Sequence, residues 1–417
     1  MRISIFSDLH FGYGANSKVE NDSFDNASEA IDKSLDSDLI LICGDMFDTR
    51  SPRSDVIARA IKILSRPSMI KSKIKLVDTI GKKIEKIYER TLNGIPIIAL
   101  HGTHERLGKD QLNSVQIIES AGLLIHLHCN GVVFEKDGIK VAIQGMSGVP
   151  ERYAKQIIDK WNPKPIEGCY NILLLHQSID PFVYSPQEPP TLNISNLPEG
   201  FDLIVDGHIH TSKIEEIGKT RLLFPGSTVI TQTKKEEQAP KGIYVLNLPE
   251  NKLNFIKLEN ARQFFYEEIK LFDDKLIKEQ IKDRLDSIFK IDFKKPPIIR
   301  LKIIARKSGV LDKELKKIEE EYANKAIIKY SKHTETLDVD EKIDLLRKAR
   351  EEMISIDEIG VKILSENLKK LNFSSELDSN LLFKLLSEEE IDTALNILIG
   401  EQKTLKTVLE EKEEDEL

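Results

Sequence analysis

The sequence predicts an α/β layered domain, then a small α+β domain, then a helical C-terminal region, and three observations carry that prediction. Short apolar runs alternate with amphipathic segments through the first part of the chain, the order expected of strands and helices in an α/β layer. From about residue 262 a β-α-β-α-β succession fits within about seventy residues, the size of an accessory domain. Beyond about 338 nearly every segment is charged and helical in period, and the chain ends in EEKEEDEL, a run expected to be solvated. The expected division is therefore 1–260, 261–337 and 338–417.

The strands of the first part are RISIF (2–6), DLILIC (38–43), IPIIAL (95–100), KVAIQG (140–145), YNILLLH (170–176), FDLIVDG (201–207), RLLFPG (221–226) and GIYVLNL (242–248). All are short and rich in aliphatic or β-branched residues. Amphipathic helices are expected at SDVIARAIKILS (54–65) and DQLNSVQIIESAG (110–122), whereas the late strands lack helices between them and suggest a sheet edge or a second sheet. Residues 70–90 carry seven basic against three acidic side chains, and Ile74, Val77, Ile80, Ile84 and Ile87 follow a helical period. That segment reads as a surface helix with a solvated lysine face, or as a helix touching phosphate or a second copy beside the active site. In the second part the strands are QFFYEEIKLF, PPIIRLKIIA (296–305) and AIIKYS (326–331), separated by two helices. In the third, LLFKLLSEEEIDTALNILIG (381–400) places Leu381, Leu382, Leu385, Leu386, Ile391, Leu395 and Leu398 at helical spacing.

Composition excludes several classes. A chain of 417 residues is too long for one ordinary core. A net charge of −8 argues against a surface coated in positive charge, though a local basic cleft remains compatible with it. Cys43, Cys129 and Cys169 are odd in number and far apart, so neither a disulfide framework nor a cysteine zinc site is indicated. The N-terminus MRISIFSDLH lacks the form of a signal peptide, and no apolar run approaches the length of a membrane span. A cytoplasmic location without membrane attachment is expected.

The chemistry gathers at strand exits. ISIFSDLH ends in Asp8 and His10, LILICGDMFD in Asp45 and then Asp48, IPIIALHGTHE in Thr103 and His104, YNILLLHQ in His176, and DLIVDGHIH in His208 and His210. Open α/β sheets place ligand sites at the carboxyl ends of their strands. In extended chain, residues two apart point the same way, so Asp8 with His10 and His208 with His210 can each present two ligands to one side. Mixed carboxylate and imidazole suit Mn, Fe or Zn better than Mg or Ca. Asp45 is the most plausible bridge between two cations, which together could create a hydroxide and neutralise phosphoryl oxygens. Singly these motifs are weak, and a GHxH can be a satisfied core pair. Five in order, each after an apolar run, are hard to explain as structure alone. His126 and His128 (IHLHC) lack a partner acid and read as strand surface residues, and His333 stands alone.

The ordered set DLH, GDMFD, HGTHE, LLLHQ and GHIH resembles the calcineurin-like metallophosphoesterases, whose fold is a layered β-sandwich flanked by helices. GDMFDTRSP, NLPEGFDLIVDGHIH (196–210) and RLLFPGST (221–228) narrow the resemblance to the SbcD/Mre-eleven type of DNA-repair nuclease. It covers about 1–260 strongly and 262–335 more loosely, where those nucleases carry a capping domain that grips DNA. The resemblance implies Asp8, His10, Asp45 and His210 around one metal and Asp45, His176 and His208 around the other, usually Mn, with Fe, Zn or Mg as other choices. It implies that His104 sits by the scissile phosphate, stabilising charge or protonating the leaving oxygen. It further implies exonuclease and endonuclease activity on DNA and docking of C-terminal helices, for which 375–400 is the candidate, on a coiled-coil SMC-like ATPase. A homodimer is implied as well, for which Ile61, Ile63, Leu64, Ile117 and Ile118 are the apolar candidates, unless they pack only on their own sheet.

Two departures bear on function. Thr103 stands where the family has an asparagine whose carbonyl completes the second metal shell, and a hydroxyl is the poorer ligand. Asp48 stands where many relatives carry histidine, and an acid there would repel phosphate unless turned away; with Arg50 it is the substrate-facing candidate. The 58 residues from Asp45 to Thr103 (103 − 45) exceed the family's spacing, and the excess falls in 70–90. The competing readings are a phosphatase or phosphodiesterase for nucleotides or small phosphoesters, and a weakened nuclease kept as a dimeric scaffold. Within HGTHE, Gly102 is expected to permit the turn that aims His104, Glu105 to be a local structural acid, and His101 a strand-end residue.

Overall fold

The computed structural model of the chain describes residues 1–108, 111–183, 192–271, 277–305, 309–333 and 378–387, with positions 360, 361, 364, 365 and 368. The chain divides into two compact units, Met1–Glu335 and Thr336–Leu417.

Two sheets face one another in the first unit. The six-stranded sheet runs in the order Lys252–Lys257, Gly242–Asn247, Arg2–Phe6, Leu39–Cys43, Ile97–Leu100, Ile125–His126. The seven-stranded sheet runs Lys213–Ile217, Thr220–Phe224, Leu203–Asp206, Tyr170–Leu175, Ile139–Met146, Asn130–Lys136, Lys75–Ile80. The central strands of each are parallel, with antiparallel strands added at the edges. Both faces of the central strands are covered, which is why their sequences read as unbroken apolar runs. Leu39, Leu41 and Cys43 point into the core between the sheets, and Ile40 and Ile42 point the other way into the helical layer. Burial of each such side chain contributes about 1.5–3 kcal/mol. The two cores thus hold the strand ends firmly enough to sustain strained turns.

Helices Asp22–Asp32, Ser54–Leu64 and Ser114–Ser120 cover the outer face of the first sheet, and Glu151–Trp161 packs on the second. The layering is α/β/β/α, the metallophosphoesterase fold. The helix expected over 110–122 starts later because Asn113 caps it, its side chain accepting from Gln116 N while Gln116 returns a bond to Asn113 N. Ile63, Leu64 and Ile118 are buried on their own sheet, Ile61 is partly so, and Ile117 is exposed.

Residues 70–90 are not the expected helix. Lys75–Ile80 is a strand that pairs antiparallel with Asn130–Lys136 at the edge of the second sheet, followed by a single 3₁₀ turn, Ile84–Lys86. Apolar residues three and four apart satisfied the helical pattern, but Ile74 and Leu76 pack into the inter-sheet core, and the run is rich in β-branched residues. The segment is anchored by Lys82, which is buried and donates to Glu119 Oε1 at 2.9 Å and to the His126 carbonyl at 2.8 Å.

The small domain has three parallel strands, Phe264–Leu271, Ile298–Ala305 and Ile327–His333, with helices Ile277–Ile288 and Gly309–Tyr322 between them. Ile281, Leu285, Ile299, Leu301, Leu315 and Ile318 form its own core. Buried Arg262 ties it to the sandwich, pairing with both carboxylate oxygens of Asp22 at 2.6 and 3.0 Å. In the second unit the helix Ser379–Ser387 buries Leu382 and Leu385 with Leu368; 388–400 and the acidic end lie outside the described residues. Among the described residues no helix is long and apolar enough to cross a membrane.

Candidate functional site

The sequence motifs converge where the carboxyl ends of the two sheets meet. The first sheet delivers Asp8 and His10 after the Arg2–Phe6 strand, Asp45 after Leu39–Cys43, and Thr103 and His104 after Ile97–Leu100. The second delivers His176 after Tyr170–Leu175, and His208 and His210 after Leu203–Asp206. Ligand atoms of Asp8, His10 and His210 lie within 4.8 Å of one another, and so do those of Asp45, His176 and His208.

The turns that do this are strained. Asp8, His10, Asp45 and His208 all have left-handed backbones, with φ of 54°, 46°, 45° and 70°. Non-glycine residues rarely adopt this region, and such positions concentrate at functional sites. Gly102 serves differently from the expected turn: a Cβ there would collide with the Asp45 carboxylate. Its bare backbone lets the HGTHE loop close on Asp45, which accepts from His104 N at 2.9 Å and from Thr103 Oγ1 at 3.3 Å.

The imidazoles are oriented by their far nitrogens. His176 Nδ1 bonds the Cys43 carbonyl at 2.7 Å, leaving Nε2 at 3.2 Å from Asp45 Oδ2. His210 Nδ1 meets Thr231 Oγ1 at 2.7 Å, and its Nε2 faces His10 Nε2 at 3.2 Å. His10 Nδ1 lies 3.3 Å from Asp48 Oδ1. Asp48 Oδ1 also lies 4.0 Å from His104 Nδ1, so partly exposed Asp48 faces both rings with its side chain. Its carbonyl also takes the bond from His104 Nδ1, at 2.6 Å. This arrangement fixes which nitrogen of each ring is presented, the usual way a protein prepares histidine ligands.

The electrostatics are those of a site built for cations. Both carboxylate oxygens of fully buried Asp8 have no hydrogen-bond partner. Orphaned buried acceptors of this kind are costly unless something positive meets them. Burial, opposed by His176 and reinforced by the charge of Asp45, lifts the Asp8 carboxyl above its ordinary range. Burial also acts to raise Asp45, but His176 and His10 outweigh it and hold Asp45 well below. Burial would lower His176, yet the Asp45 and Asp8 carboxylates raise it to about 10. A divalent ion would replace that proton as the positive partner. The residues therefore fit two cations: Asp8, His10 and His210 toward one, His176 and His208 toward the other, with Asp45 between.

Around this centre lie residues with other tasks. His104 is partly exposed at the rim, its ring 4.9 Å from that of His10. Buried Glu105 accepts from Phe47 N at 2.7 Å and Gly102 N at 2.6 Å, stapling two site loops; burial and the nearby Asp45 push it up to about 8. Arg50 is exposed. His126 is not a surface residue but is buried, with Nε2 at 2.9 Å from His101 Nδ1 and 3.2 Å from Ser147 Oγ; His128 is exposed. Burial, then the neighbouring His128, holds His101 down at about 3. Sequence reasoning missed Asp206, Thr231, Glu237 and Lys241. Asp206 is buried, accepts from Gln177 N at 3.0 Å and is pushed up by burial to about 7. Thr231, Glu237 and Lys241 sit in a polar stretch that reads as connector, and nothing local to it signals burial.

Strained turns, paired acid–imidazole clusters and an α/β/β/α sandwich together define a metal-dependent phosphoesterase. The calcineurin-like phosphoesterase family pattern matches residues 1–212, and the chain belongs to that family. Among individual proteins it is similar to the double-strand break repair protein MRE11 of Mus musculus, 25% identical over an aligned length of 310, which covers 65% of this chain and 43% of that protein. MRE11 of Arabidopsis thaliana is 24% identical and matches 97% of this chain and 62% of its own length. The DNA double-strand break repair protein Mre11 of Methanopyrus kandleri is 24% identical, matching 64% of this chain and 59% of its own. The chain thus spans under half the length of the mouse relative.

Proposed function

We propose that this chain is a two-metal DNA nuclease, hydrolysing phosphodiester bonds in double-strand-break repair together with a coiled-coil SMC-like ATPase. The observation that carries the reading is the pair of carboxylate–imidazole clusters meeting at Asp45, with His104 at the rim. Similarity to MRE11 proteins, extending past the residues of the family pattern, supports DNA as the substrate over a small phosphoester. The ligand set for one ion is Asp8, His10, Asp45 and His210, and for the other Asp45, His176 and His208; the donors suit Mn, Fe or Zn, and the family resemblance favours Mn. Such ions, when bound, supply a hydroxide nucleophile at neutral pH and neutralise phosphoryl charge.

The chain's own residues do the rest. His104 has Nδ1 committed to the Asp48 carbonyl, so Nε2 is the atom that carries the exchangeable proton to the leaving oxygen. Thr103, the candidate ligand in the place of an amide, offers only a hydroxyl, which lies 3.3 Å from Asp45 Oδ2, so the second ion is expected to bind more weakly than the first. Arg50, exposed two residues past Asp48, is the remaining candidate for phosphate contact. The three-stranded domain, 261–337, grips DNA; the region 338–417 docks the ATPase; and two copies associate through the Ser54–Leu64 and Ser114–Ser120 helices, where Ile117 is exposed.

The test is Mn²⁺-dependent cleavage of single- and double-stranded DNA by the purified chain beside His104→Ala, with nucleotide hydrolysis in parallel. Cleavage of DNA that His104→Ala slows by about 10²–10⁴-fold is expected. Nucleotide hydrolysis without DNA cleavage would replace the nuclease with a small-phosphoester phosphodiesterase, and inactivity on every phosphoester would leave a scaffold.

A further inference from the structure

One segment touches both the small domain and a candidate metal ligand. Residues 230–241 leave the second sheet after Thr220–Phe224, pass His210 and enter the Gly242–Asn247 strand of the first. On the side of the site, Thr231 Oγ1 lies 2.7 Å from His210 Nδ1, and Glu237 Oε1 lies 3.9 Å from the same nitrogen. Glu237 is buried and paired with buried Lys241 at 2.6 Å; Lys241 Nζ also donates to Ser227 Oγ at 2.9 Å and to the His210 carbonyl at 3.3 Å. The ring and the backbone of His210 are thus held in one frame. On the other side the same segment is seated by the three-stranded sheet. Tyr266 N, on the outer edge of the Phe264–Leu271 strand, donates to Gln238 Oε1 at 3.0 Å. Arg300 Nη1 reaches Thr233 Oγ1 at 3.3 Å, and Ile230 packs with Phe264 and Ile298.

We infer that Thr231 and Glu237 are positioning residues for His210, and that the small domain sets their place, so that its seating on the sandwich tunes the affinity of the site for a divalent cation. This rests on the metal-centre reading given above. The contact is 2.7 Å, and in the tautomer in which Nδ1–H donates to Thr231 Oγ1 the lone pair of His210 is on Nε2, the atom that faces His10. The Glu237 carboxylate is too distant for a direct bond but lies on the Nδ1 side of the ring, and its ion pair with Lys241 keeps it in place. Because Gln238 and Thr233 are held by strands of the small domain, displacing that domain moves Thr231 and Glu237 and loosens the ring.

The experiment compares the full chain with Thr231→Val, Glu237→Gln and Arg300→Ala variants. Nitrogen-15 labelling of histidine reports the tautomer of His210 in protein stripped of metal, and calorimetric titration with Mn²⁺ reports affinity. Thr231→Val and Glu237→Gln are expected to shift His210 away from a single Nδ1–H tautomer and to weaken Mn²⁺ binding roughly tenfold. Arg300→Ala, which removes one seat of the segment and touches no site residue, is expected to weaken binding by a smaller factor in the same direction. An unchanged His210 tautomer and unchanged Mn²⁺ affinity in variants that melt at the parental temperature would overturn the inference. So would an Arg300→Ala chain that binds as the parent does, for the coupling to the small domain. Failure of the parent chain itself to bind Mn²⁺ would sink the metal-centre reading, while the tautomer comparison would still decide whether Thr231 and Glu237 position the ring.

Discussion

The two sheets of the sandwich make unequal contributions to the site. The first supplies every carboxylate of the two clusters, Asp8 and Asp45, and places them, with His10, on left-handed turns. The second supplies imidazoles alone: His176, His208 and His210. Both of these clusters combine an acid of one sheet with at least one histidine of the other, whereas a third group, His10, Asp48 and His104, comes from the first sheet alone. The division has an electrostatic logic. Two carboxylates on adjacent strand ends repel, visibly in the upward push that Asp45 gives Asp8, and the histidines of the facing sheet offset that repulsion until a cation does so. A site split in this way exists only when both cores are packed.

That comparison can be broken at its strongest point first. Asp45→Asn removes the carboxylate shared by both clusters and is expected to abolish phosphodiesterase activity and to reduce Mn²⁺ uptake at both positions, measured by titration and metal analysis. The imidazole counterpart, His208→Gln, should cost one ion and leave the other; equal loss in both variants would show that the sheets contribute alike. His104→Ala, next in size, should lower kcat by about 10²–10⁴-fold while Mn²⁺ stoichiometry stays that of the parent. A parallel loss of metal would make His104 a ligand instead. Thr103→Asn supplies the missing carbonyl and is expected to tighten the weaker Mn²⁺ site roughly tenfold, read by calorimetry.

The smallest effect concerns stability. Half-buried His101 and buried His126 are held below the ordinary imidazole range, His101 at about 3, by desolvation first and then by neighbouring charge. The unfolded chain takes up protons at these rings near pH 6.5 and the folded chain refuses them. Their contribution is therefore complete above about pH 6.5 and is lost progressively as pH falls toward 3. Melting temperature should decline over that interval, and His101→Gln should flatten the decline; an unaltered slope would locate the acid sensitivity elsewhere.

Much of the site was legible because strand exits obey local rules. Apolar runs mark the strands, and a polar residue just past each run must lie at the sheet's end, so Asp8, His10, Asp45, Thr103, His104, His176, His208 and His210 could be named without a structure. The 70–90 segment was misread because its isoleucines fit a helical period, while its true partner, the Asn130–Lys136 strand, is distant in sequence. His126 was placed on the surface because the sequence shows neither Lys82 nor Ser147 closing over it. That Asp48 lies beside His10 was not legible either, because only the folded backbone brings the two together.

The sequence by itself determined most of the strands, which acids and histidines stand at their exits, and the two-sided burial of the central strands, since those follow from residue type and period over a few positions. Tertiary structure alone decided which nitrogen of each imidazole faces the site, that Gly102 is needed for contact with Asp45, and that a polar loop buries Glu237 and Lys241 behind His210. Those features depend on atoms brought together across tens to hundreds of residues, and no local pattern encodes a hydrogen bond between elements that meet only when both sheets have packed.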